Sequence, residues 1–103
     1  WNINSIFRFF KNGNEIIIYP DFIRRAVILA SDQILNYSVT LIDKQIISLY
    51  LDVEKTSEFP EIFKSVKFEI EKLLSEFDIG NIDFVRANKN LDQLNKFTRI
   101  KNE

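Results

Sequence analysis

The stretch Ile6-Phe7-Arg8-Phe9-Phe10-Lys11-Asn12-Gly13-Asn14-Glu15-Ile16-Ile17-Ile18-Tyr19-Pro20-Asp21 sets the architecture of this chain. Two β-branched or aromatic runs, Ile6 to Phe10 and Glu15 to Tyr19, flank Lys11-Asn12-Gly13-Asn14. An Asn-Gly pair between such runs is the strongest short-range signal for a β-hairpin. Pro20 and Asp21 end the second arm, and Asp21 is the expected N-cap of a helix from Phe22 to about Ser31. Along that helix Phe22, Ile23, Ala26, Val27 and Ala30 recur at helical spacing, while Ile28 and Leu29 widen the stripe past half the circumference. The spacing predicts burial on several sides and leaves Arg24 and Arg25 for solvent or a partner.

Working outward, a second hairpin spans Leu35 to Leu41 and Gln45 to Val53, joined around Ile42-Asp43-Lys44. Its second arm has few polar breaks, as expected of a central strand. After a loop from Glu54, Pro60 supplies a preset φ in the first turn of a second helix with the stripe Ile62, Phe63, Val66, Ile70, Leu73, Leu74 and Phe77. Phe68 lies off that stripe. Gly80 and Asn81 read as its C-terminal stop. Ile82 to Ala87 is a third strand region, Asn88 to Asn95 is polar, and Lys96 to Lys101 alternates as one more short strand would. Hairpin, helix, hairpin, helix, strand is an α+β order: a two-layer sandwich, two helices packed on one mainly antiparallel sheet with an N-terminal β-hairpin.

The chain has 103 residues, 12.2 kDa, enough for a single small domain over residues 1–103. Hydrophobic residues at 46% and charged residues at 28% are globular proportions. With no cysteine and no histidine, disulfides, thiolate nucleophiles, zinc fingers and histidine bases are excluded. The net charge of −1 steers the molecule to neither nucleic acid nor an anionic membrane. Its distribution is uneven: Asp52 to Asp83 holds nine acidic and four basic residues, a net of −5, whereas Phe84 to Glu103 holds five basic and two acidic, a net of +3. No methionine is present and no secretory signal opens the chain, so it reads as a piece cut from a longer cytoplasmic protein.

The run from Asn12 to Ala26, the hairpin at Leu35 to Val53 and the ending Asn95-Lys96-Phe97-Thr98-Arg99-Ile100 together resemble the C-terminal domain of adenylate-forming ligases, most closely the phenylacetate–CoA ligase and coenzyme F390 synthetase branch. That domain begins with a hairpin, passes through a hydrophobic-x-Pro turn into a helix, and ends with Gly-Lys followed by Arg. Two positions depart from the pattern: Glu15 stands where the family has Gly five residues before the Pro, and Asn95 stands where it has Gly before the lysine. The resemblance implies that Lys96 is the catalytic lysine, contacting substrate carboxylate and nucleotide as the acyl-adenylate forms. A compact ammonium on a flexible stem suits charges that rearrange. Arg99 matches the arginine that follows, a substrate or nucleotide contact or an anchor of the tail. The resemblance further implies ATP and Mg2+ held mostly by a large N-terminal adenylation domain of the same chain, a carboxylic acid substrate, CoA as one acceptor it allows, no nucleic acid and no membrane. The small domain alone would be a lid without activity of its own.

The remaining candidates read as structure. Arg24 and Arg25 are the wet side of the first helix, and Tyr37 and Tyr50 are sheet core or rim. Asp52 and Glu54 share a strand face, whereas Glu69 and Glu71 lie about 200° apart on a helix. Neither pair comes with a metal-ligand cluster or a phosphate-cradling glycine loop, so both read as solvation. From other classes, a stand-alone module for protein interaction or a small effector would use an uncovered, isoleucine-rich sheet edge. A single-stranded nucleic-acid binder would use an aromatic sheet face, against which the mild acidity argues.

Overall fold

Asn12 and Gly13 have φ of 52° and 79°, both positive as a type I′ turn demands, and they join β1 (Phe7–Lys11) to β2 (Asn14–Ile18). This is a computed structural model, and it describes residues 6–87 and 100–102. The register Phe7↔Ile18 and Phe9↔Ile16 puts Phe7, Phe9 and Ile18 into the core, while Arg8 on the other face donates to Glu15 at 3.2 Å.

Tyr19 is extended, as a residue before proline must be, and Pro20 opens α1 (Pro20–Ala30). Asp21 is therefore not the N-cap. It lies in the first turn, where its charge opposes the positive end of the helix dipole. The expectation that α1 is buried on several sides also fails: Pro20, Ile23, Ala26 and Val27 are buried, but Ile28 and Leu29 are 59% and 63% exposed and Phe22 is 46% exposed. Arg24 and Arg25 face solvent.

β3 (Ile34–Asp43) and β4 (Ile46–Val53) form the longest antiparallel ladder. Alternation along it sends Tyr37, Val39 and Leu41 with their partners Leu51, Leu49 and Ile47 to the helix side, and Asn36, Ser38, Thr40 and Ser48 to the other. The turn falls at Lys44 and Gln45, one residue later than the sequence spacing predicts. A register shift between Leu41 and Asp43 absorbs the difference. A 3-10 turn at Thr56–Glu58 leads into α2 (Phe59–Glu76), whose Ile62, Val66, Ile70 and Leu74 are buried at strict four-residue spacing, with Phe63, Leu73 and Phe77 packed beside them.

β5 (Asp83–Arg86) adds to β4 and β6 (Ile100–Asn102) to β3, both in parallel, giving the order β5-β4-β3-β6. The fold is α+β, with two helices over a sheet whose centre is antiparallel. The β1-β2 hairpin is a separate two-stranded sheet that supplies side chains to the same core. Arg86 stacks on Phe59 at 3.9 Å from the ring centroid, tying β5 to the start of α2. No helix among the described residues is long and apolar enough to cross a membrane.

Ile70 has no exposed surface, so Ile70→Ala is expected to cost about 2–5 kcal/mol through the cavity it leaves. Half-buried Phe63→Ala should cost less, both read from urea unfolding midpoints.

Candidate functional site

Lys96 and Arg99 lie outside the described residues. The nearest described positions are Ala87, whose N–H donates to the Leu49 carbonyl at 3.0 Å, and Ile100, which is buried and opposite Val39. Val39 and Leu49 are themselves partners, so both flanking residues sit at one level of the sheet.

An open cleft forms at the opposite end, where three connections meet: Phe10 and Lys11 beside the first turn, Asp43 to Ile46 at the β3–β4 turn, and Asp78 to Asp83 between α2 and β5. Each arrives there for a local reason. The Asn12-Gly13 turn brings Lys11 to the tip of β1. At the second turn the Asp43 side chain accepts from the Lys44 N–H at 2.6 Å, and Asp83 N–H donates to the Gln45 carbonyl at 2.8 Å, which pins the start of β5 against that turn.

α2 does not stop at Gly80. Asp78 takes the left-handed position, φ 61°, with its N–H donating to the Ser75 carbonyl and the Ile79 N–H reaching back to Leu74, each at 3.0 Å. This is a Schellman closure with aspartate where glycine is usual. A left-handed residue with a side chain costs roughly 1–2 kcal/mol. Here Lys11 offsets part of that cost by donating to the Asp78 carbonyl at 2.7 Å and to its Oδ2 at 2.6 Å. The side-chain hydrogen bond first, and the Lys11 charge second, hold the Asp78 carboxyl below the usual aspartate range. An acid so stabilised in its ionised form is a weak proton acceptor.

Phe10 is 59% exposed at the cleft mouth, and the Lys44 ammonium stands 5.8 Å from its ring centroid. With Asp43 and Asp83 nearby, the cleft offers charges of both signs and an aromatic ring. Those are means of binding or docking. Among the described residues no group of three or more acidic, histidine or cysteine side chains is placed to hold a metal ion. Sequence reasoning missed the cleft because its three parts are dozens of residues apart. The Asn-Gly signal was the single hint that Lys11 stands at a strand end.

Tyr37 is buried in the sheet, Tyr50 is half-buried on the central strand β4 opposite Ser38, and Asp52 and Glu54 are exposed.

Replacing Lys11 by Gln should raise the Asp78 carboxyl toward its ordinary value, measured by NMR titration of its side-chain carbon. Because the folded-state value lies below the unfolded one, the clasp stabilises above an unfolded pKa of about 3.9 and is lost as pH falls through the lower folded value. The stability difference between wild type and Lys11→Gln should therefore shrink as pH falls through the lowered folded value, leaving only what the bond to the Asp78 carbonyl contributes. The Asp78 side chain is 90% exposed, so the clasp should also weaken with added salt.

No family model and no curated protein sequence matches this chain.

Proposed function

We propose that this chain is the C-terminal lid domain of an ATP-dependent, AMP-forming carboxylic acid ligase similar to phenylacetate–CoA ligase and coenzyme F390 synthetase. The observation that carries the reading is the chain order: a hairpin, an extended Tyr19 and Pro20 into α1, the antiparallel pair, α2, then strands that return alongside the central ladder. The layout implied by the resemblance runs through the same elements. The two described residues that bracket Lys96 and Arg99 are anchored on the two central strands, a firm base for a segment that must present one side chain to another domain.

In this reading Lys96 meets the carboxylate and phosphate oxygens as the acyl-adenylate forms, and Arg99 contacts substrate or nucleotide or holds the tail. A large adenylation domain of the same chain binds most of the ATP and Mg2+, with CoA as one acceptor. The lid completes the site only when closed, which gates the reaction. The setting proposed is cytoplasmic.

A second reading, an interaction module that pairs through a sheet edge, draws on the outer strand β5, where Val85 is 43% exposed. A large domain with a Ser/Thr/Gly-rich phosphate loop encoded upstream of Trp1 would favour the lid. An initiator codon immediately before Trp1 would favour the module.

In the enzyme that contains this domain, Lys96→Ala is expected to slow acyl-adenylate formation by about 10²-fold or more, read by ATP–pyrophosphate exchange. Unchanged exchange removes Lys96 from the mechanism.

A further inference from the structure

The outer surfaces of α1 and α2 carry apolar side chains that the core does not use. Phe22 packs edge-on against Phe77 at 5.9 Å, and Leu29 shares a depression with Lys64 and Phe68, so the two helices run antiparallel with a groove between them. Phe22 and Leu29 line one depression, and Leu29 and Phe68 line a second that adjoins it at Leu29 and Glu69; the three are 46%, 63% and 61% exposed. Scattered exposed apolar residues are normal on a monomer, but three large ones along two adjoining depressions form a patch of the kind that marks an interaction site.

Five charged side chains line these depressions, Arg25 on α1 and four on α2. Reading along the groove side of α2, Lys64, Glu69, Lys72 and Glu76 alternate in sign. Among the described residues none of the four makes an ion pair. Reversed in direction, the order becomes the opposite alternation. A two-fold axis crossing α2 near residue 70 therefore sets Lys64 against Glu76 of a second copy and Glu69 against Lys72 of that copy, and repeats both contacts by symmetry. The same axis lays exposed Phe68 over half-buried Leu73 of the second copy. Two helices placed in the same direction would instead set like charges together. This is the self-complementarity that an isologous interface requires, residue i on j and j on i.

We infer that the α1–α2 face pairs with a second copy of this chain, α2 against α2 in antiparallel, with Phe22, Leu29 and Phe68 as its apolar centre. From residue 64 to 76 the helix rises roughly 18 Å, and two helices side by side are about 20 Å wide. That footprint, roughly 360 Å² per copy, is smaller than a stable dimer buries, so the pairing is weak and concentration-dependent. The inference does not use Lys96, and its readout is separate from pyrophosphate exchange.

The test is sedimentation velocity of the 103-residue chain over roughly 5–500 µM, with far-UV circular dichroism to check that each variant folds. The wild type is expected to shift from monomer to dimer across this range and to dissociate as salt rises. An acidic variant, Lys64→Glu with Lys72→Glu, and a basic variant, Glu69→Lys with Glu76→Lys, should each lose at least about tenfold in self-affinity. An equimolar mixture of the two should associate again, because every facing pair is then opposite in sign. As a measurement free of mutation, wild-type amide shifts should move with concentration along α1 and residues 64–76. A wild type that stays monomeric throughout overturns the inference and leaves the face to another domain or protein. A dimer indifferent to both charge variants, or shifts confined to the β5 edge, overturns it equally.

Discussion

The antiparallel ladder between β3 and β4 is the constraint on which the molecule depends. Its register decides which alternate residues face the helices, and a slip by one would exchange Val39, Leu41, Ile47 and Leu49 for Thr40, Ser48 and their neighbours. Every other element takes its place from that choice. α1 and α2 cover the apolar side, β5 and β6 extend the two central strands, and the hairpin fills the remaining gap with Phe7, Phe9 and Ile18. The small hydroxyl residues on the opposite side make the choice unambiguous, since no helix with an aliphatic stripe gains by covering them.

How far this was legible in the sequence depends on whether the deciding interaction is local. The first hairpin was readable because the backbone demand of its turn is met by two adjacent residues, Asn12 and Gly13. α2 was readable because Ile62, Val66, Ile70 and Leu74 hold one period for more than three turns. Where tertiary contact decides, local reading misplaced the detail. Gly80 looked like the stop of α2, yet Lys11, 67 residues away, supports Asp78 in that role. Ile28 and Leu29 looked like core because helical spacing shows where apolar side chains recur and not whether a neighbouring element covers them. β5 and β6, at four and three residues, are too short for periodicity to show their parallel pairing.

The site divides along the same line. Lys96 and Arg99 came from a resemblance carried by a few residues, and they lie outside the described positions. The cleft built by Lys11, Lys44, Phe10 and Asp78 was invisible in the sequence because no single segment contains it. Of the alternating charges of α2 only Glu69 drew notice in the sequence, as solvation, because the fold alone sets Lys64, Glu69, Lys72 and Glu76 beside Phe22, Leu29 and Phe68.

The position of β6 has a bearing on how the chain matures. Val39 pairs with Ile100, so one flank of a central strand is finished only by residues made some sixty positions later. At ribosomal rates of about 5–20 residues per second, that interval lasts roughly 3–12 s. Throughout it the nascent polypeptide displays an unzipped border along β3.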